Sequence, residues 1–138
     1  MANDFEVSVD IQAPPDAVWD LVGDPARVPE WFPAVVACRV EGDERRVTTA
    51  QGLELVERLL ERDDAARTYA YSVVAGNPAL TSHRASLSVL PVPGGGSRVV
   101  WRQAGTSDRE GFDLERRLSG VMADGLAHLK SVLEGGGP

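Results

Sequence analysis

The sequence predicts an α+β domain: a curved antiparallel sheet of about seven strands, two short helices after the first strand, and one long C-terminal helix. Three observations carry this reading. Leu114, Leu118, Val121, Met122, Leu126, Leu129 and Leu133 recur at helical spacing, forming one apolar stripe. Six strand-like runs between Val35 and Ala104 are separated by turns too short for crossover helices, which implies an antiparallel meander. The order of strand, short helices, strands and long helix is an α+β order and not an alternating one.

Taken in order, Phe5, Val7, Val9 and Ile11 alternate with Glu6, Ser8 and Asp10, the pattern of a half-buried strand. Pro14-Pro15 ends it, and Asp16 to Val22 reads as a short helix with Val18, Leu21 and Val22 on one side. Gly23 breaks that helix. Asp24 is the expected N-cap of a second one, with Pro25 at its first position and Pro33 beyond its end near Trp31. The six further strands are expected at Val35–Glu41, Arg45–Ala50, Leu53–Glu61, Thr68–Val74, Ser82–Leu90 and Arg98–Ala104. Gly42-Asp43, Asp63-Asp64 and Pro91 to Gly96 supply turns. The closing helix is expected over Phe112–Leu133, roughly 33 Å long, and Gly135 to Gly137 stops it. One helix cannot fill the concave face of seven twisted strands, so a cavity between helix and sheet is expected.

The 138 residues read as one domain over 1–134, followed by a flexible glycine-rich tail at 135–138. Net charge is −7 and the basic residues are scattered, which excludes nucleic acid and anionic membrane surfaces as partners. No apolar run approaches the ~18 residues of a membrane span. The N-terminal stretch, with acidic Asp4 and Glu6, has no signal-peptide pattern, so a cytoplasmic protein is expected. A single cysteine, Cys38, and two separated histidines offer no disulfide and no metal-ligand spacing, and no motif calls for a cofactor. A monomer or weak homodimer is the expected state.

Several segments together resemble a known group. They are Val9 to Pro14 with Val18 to Val22, Trp31 to Val35, Glu57 to Leu60 with Asp63-Asp64, Tyr69 to Val74, Ser97 to Trp101, and the closing helix. In this order they resemble the helix-grip fold of the birch-pollen-allergen and START-like (SRPBCC) proteins. Within it they resemble the polyketide cyclase/dehydrase-like proteins and the abscisic-acid receptors. The resemblance implies a cavity for a small molecule. It also aligns Thr49 to Gly52 with the receptors' gate and Gly76 to Leu80 with their latch, bringing Leu80 to the mouth. Val36 stands where those receptors carry a pocket lysine, which implies a place in the cavity wall.

Alternation within the strands assigns the inward faces independently. Leu53, Leu55, Glu57, Leu59 and Glu61 share the more apolar side of their strand. Tyr69, Tyr71 and Val73, then His83, Ala85, Leu87 and Val89, then Val99, Trp101 and Gln103, form the corresponding rows. Leu118, Val121, Met122 and Gly125 of the long helix face them, with Arg117 at the inner edge. Gly125 is out of place in a helix interior, where glycine costs ~1 kcal/mol. It leaves room for a ligand or lets the helix be approached closely. His128 falls at the edge of the stripe, toward solvent.

Glu57 stands alone among apolar neighbours and needs a partner or a raised pKa. The resemblance implies that it contacts ligand through water; an internal ion pair with Arg117 or another arginine is the alternative. Three functions compete. The first is binding of a small, mostly apolar or aromatic molecule, with Val36, Leu55, Glu57, Leu59, Tyr71, Val73, Leu80, His83, Ala85, Trp101, Arg117, Val121, Met122 and Gly125 around it. The second is a polyketide aromatase/cyclase with Glu57, Tyr71 and His83 as acid/base candidates. The third is an interaction module such as a chaperone regulator.

Overall fold

The computed structural model describes residues 3–135. Strand β1 (Asn3–Ile11) leads into helices α1 (Pro15–Val22) and α2 (Val28–Trp31). Six strands follow: β2 (Val35–Glu41), β3 (Glu44–Thr49), β4 (Glu54–Asp63), β5 (Thr68–Ala75), β6 (Ser82–Pro91) and β7 (Ser97–Thr106). Helix α3 (Leu114–Leu133) completes the fold. The tail expected at 135–138 lies outside the described residues, apart from Gly135.

All seven strands form one antiparallel sheet in the order β1-β7-β6-β5-β4-β3-β2. The meander accounts for β2 to β7. β1 closes onto β7, with Phe5 opposite Gln103 and Val9 opposite Val99. Register shifts interrupt β2 at Val36, β5 at Val74 and β4 at Leu60. Each inserts one unpaired residue, which bends the strand. These are the points where strict alternation fails as a guide. Beyond Leu60, Glu61 crosses to the outer face and meets Arg84 at 3.3 Å instead of pointing inward.

α3 packs on β1 and β7 and touches α2, so it covers one part of the concave face only. Beneath it the closed end of the grip is filled by Val18, Trp31, Leu87, Val89, Val99, Leu126 and Leu129, all at most 2% exposed. Tyr69 and Trp19 close the same region with ring centroids 6.2 Å apart. This is the helix-grip arrangement, a curved sheet around a long helix.

Both helix starts move from their expected places. The Asp24 carboxylate accepts from the Ala26 N–H at 2.9 Å, closing a local turn, and α2 begins only at Val28 with Pro29 in its first turn. At α3 the cap is Asp113, whose Oδ1 accepts from the Arg116 N–H at 3.0 Å; Phe112 therefore precedes the helix. Asp113→Ala is expected to lower unfolding free energy by about 1 kcal/mol, the usual effect of losing an N-cap, as read by urea denaturation. At the other end Lys130 donates to the Asp10 carbonyl at 2.9 Å, and Glu134 accepts from the Gln12 N–H at 2.7 Å, tying α3 to the end of β1.

Candidate ligand-binding site

Because α3 lies toward β1 and β7, the concave face under β3 to β6 is left uncovered near the ends of β4 and β5. A cavity of about 450 Å³ occupies this space, within the ~300–1,000 Å³ usual for small-molecule sites. Three connections form its rim. The β3–β4 loop contributes Thr49, Ala50, Gln51 and Leu53, the β5–β6 loop Asn77 and Leu80, and the approach to α3 Phe112, with Arg117 from the helix's first turn beside it. Gly76 sets the second of these. Its φ is +97°, and a Cβ there would lie 2.1 Å from the Glu54 carbonyl oxygen. Only glycine lets that loop pass so close to β4.

The walls are mainly apolar: Phe32, Val47, Leu55, Trp101, Leu118 and Met122 among them. The central polar groups are partly engaged with one another. Glu57 is 7% exposed and faces Arg45, itself 3% exposed. The Arg45 Nε and Nη2 both reach Glu57 Oε1, at 2.6 and 2.5 Å. Nη1 donates to the Pro25 carbonyl at 3.1 Å and to the Tyr69 hydroxyl at 3.3 Å. The guanidinium lies 4.7 Å from the Tyr71 ring centroid. A buried charge pair of this kind is tolerated because nearly every donor has a partner.

His83 stands where β5 and β6 part. Their ladder ends at Tyr71 opposite Ala85. Beyond it the Val73 N–H donates to His83 Nδ1 at 2.9 Å, so an imidazole replaces the missing carbonyl. Nδ1 is therefore an acceptor, and the ring proton must sit on Nε2, 2.5 Å from Gln103 Oε1. Burial pushes the His83 pKa below its ordinary value, outweighing the Gln103 hydrogen bond and the nearby Glu57 charge. The unfolded chain then takes up a proton near pH 6.5 that the folded chain refuses. Stability should be complete above that pH and fall as pH drops from 6.5 toward the folded value. His83→Gln should flatten the pH 5–6.5 portion of a stability-versus-pH curve measured by urea denaturation.

Tyr71 crosses over Ala85 to β7, where its hydroxyl accepts from Trp101 Nε1 at 3.1 Å. Its pKa is raised, chiefly by burial and then by Glu57, so the phenol keeps its proton. The crossing explains why Ala85, 2% exposed, lies beneath the cavity wall and not in it.

Of the residues the sequence singled out, Leu55, Glu57, Tyr71, Val73, Leu80, His83, Trp101, Arg117, Val121 and Met122 line the cavity. Four do not. Val36 is the bulged residue of β2 and is 57% exposed. Leu59 packs into the core beside the cavity, and Ala85 sits under Tyr71. Gly125 is covered by Phe32: an added Cβ would lie 2.4 Å from the Phe32 ring, so this glycine admits an aromatic neighbour and not a ligand. Tyr69, Leu87, Val89 and Val99 point inward as expected but belong to the packed end. Leu53 reaches the rim from outside the strand, 53% exposed. Arg117 lies over the Phe112 ring at 5.0 Å, away from the role of Glu57's partner. The sequence points to neither Arg45 nor Phe32: a charged residue in a short strand reads as exposed, and Phe32 lies outside any periodic element. Gln103 is inward by alternation, but its hydrogen bond to His83 has no signal in the sequence.

Comparison with known proteins agrees with this architecture. XoxI from Bacillus cereus superposes with a TM-score of 0.90 at 26% identity, over 96% of both chains. A protein from Thermobifida fusca gives 0.78 at 32% identity, over 95% of this chain and 93% of its own. The di-domain ARO/CYC protein BexL of the BE-7585A biosynthetic pathway gives 0.80 at 25% identity; the match covers 92% of this chain and 45% of BexL. No curated protein matches the sequence. The family model described as polyketide cyclase / dehydrase and lipid transport matches residues 2–134, and the chain belongs to that family.

Proposed function

We propose that the protein binds a small, mostly apolar or aromatic molecule in the cavity between α3 and the sheet, without transforming it. The observation that carries this reading is the state of the cavity's polar groups. A general acid or base has to be free to exchange a proton with the bound molecule. His83 has both ring nitrogens engaged, Tyr71 keeps its proton, and Glu57 is tied through Oε1 to the buried Arg45. What remains is an apolar chamber of about 450 Å³ with a few hydrogen-bonding positions, the usual form of a binding site. Family membership supports a small-molecule role.

Native mass spectrometry of protein purified from its own host tests the proposal. A bound species of a few hundred daltons is expected, released on denaturation. Trp101 in the wall should report saturable quenching by bicyclic aromatic compounds. An adduct-free protein whose fluorescence is indifferent to such compounds would overturn it. A cyclase reading draws on the likeness to BexL. It predicts turnover of a poly-β-ketone that is lost in Tyr71→Phe.

A further inference from the structure

Two hydrogen-bond relays end at the inner wall of the cavity. In the first, the Val73 N–H donates to His83 Nδ1, which leaves the ring proton on Nε2 facing Gln103 at 2.5 Å. The Gln103 atom receiving that proton has to be oxygen, so its NH2 group is turned away from His83. Gln103 lines the cavity, is 5% exposed, and its nitrogen has no hydrogen-bond partner among the described residues. In the second relay, Trp101 Nε1–H donates to the Tyr71 oxygen, so the hydroxyl proton has to point elsewhere. Tyr71 also lines the cavity, and its hydroxyl donates no hydrogen bond to a described residue. Trp101 and Gln103 are two apart on β7, so the side chain that holds the Tyr71 hydroxyl and the one that carries the amide project from the same face of one strand. Both relays start from a fixed donor, which directs the Gln103 NH2 group away from His83 and the Tyr71 hydroxyl proton away from Trp101.

We propose that Tyr71 Oη–H and Gln103 Nε2–H form a paired donor site that receives a carbonyl oxygen, so that the molecule bound is an apolar aromatic ketone and not a hydrocarbon. This rests on the ligand-binding reading above and adds the ligand's polarity to it. A donor pair without an acceptor leaves buried polar groups unpaired, and a site of that kind discriminates against a ligand lacking the oxygen. His83 is a positioning residue here: it sets which end of the Gln103 amide faces the cavity. The carboxylate of Glu57, also in the wall, adds a reason for the carbonyl to lie toward β7, away from negative charge.

The test compares 2-acetylnaphthalene with 2-ethylnaphthalene, which has nearly the same shape and no oxygen, by fluorescence titration of the wild-type protein. The ketone is expected to bind about tenfold more tightly, the effect of two neutral hydrogen bonds. Tyr71→Phe and Gln103→Met should each reduce that preference to about threefold or less, because the affinity for the ketone falls further than that for 2-ethylnaphthalene. Equal wild-type affinity for both compounds overturns the donor pair and leaves the cavity reading standing. So does a loss in the variants that affects both compounds alike. Binding of neither compound overturns both readings.

Discussion

Replacing Arg45 with methionine should lower the unfolding free energy by about 3–5 kcal/mol, the usual cost of stranding a buried charge. The carboxylate left behind is Glu57, whose Oε1 receives two of the guanidinium's nitrogens at 2.5–2.6 Å. Neither residue can turn to solvent, because Arg45 is 3% and Glu57 7% exposed. Glu57→Gln should also destabilise, by more than ~1 kcal/mol, since it leaves the guanidinium without its counter-charge. The double variant Arg45→Met with Glu57→Leu should recover most of the loss, because two apolar side chains can replace a buried pair at little net cost. Urea denaturation of the three variants decides the matter. A double variant as unstable as Arg45→Met alone would show that the pair is not the unit. Wild-type stability in Arg45→Met would show that Glu57 finds other support. Ligand titration of Glu57→Gln answers the separate question of whether this carboxylate also serves the bound molecule.

The second large effect is expected at Gly125→Leu. Phe32 sits against the bare backbone of α3 at this point, with its ring 5.0 Å from Trp101 and at 80° to it. Phe32 is also part of the cavity wall. A leucine at position 125 would push the ring off the helix, and the open direction is the cavity. Overpacking of this kind costs about 1–3 kcal/mol. Its effect on binding should be larger in proportion, because an aromatic ring displaced into about 450 Å³ removes a substantial part of the space. Affinity for a naphthalene-sized compound should fall at least tenfold, while Gly125→Leu/Phe32→Ala should regain it. If the single variant binds normally, Phe32 moves outward and does not define the wall.

Much of the architecture was legible because each element carries its own period. The α3 stripe, the rows of β6 and β7 and the turns between the strands need only local information, and they stand in the structure, whereas the row of β4 holds only as far as its bulge. The same periodicity places Tyr71, Val73, His83, Trp101 and Gln103 on the inner face, since an uninterrupted stretch of strand has no freedom to present them otherwise and the bulge of β5 comes only after Val73. Family resemblance added the mouth, and the loops at Thr49 to Gln51 and Asn77 to Leu80 do rim the cavity.

What tertiary structure alone decided involves partners distant in sequence or departures of a single residue. Bulges at Val36 and Leu60 change which face the next side chain takes, and nothing in a hydrophobic pattern marks where an extra residue will sit. The choice of Arg45 over Arg117 as partner of Glu57 depends on the pairing of β3 with β4, which sets Arg45 directly opposite Glu57. The division of the inner face into a packed end and an open end depends on where α3 settles. That position follows from β1 closing onto β7 and from Phe32 seating on Gly125. Local patterning in the chain suffices for a helix laid over a curled sheet with polar groups on its inner face; long-range pairing sets which part of that face remains open.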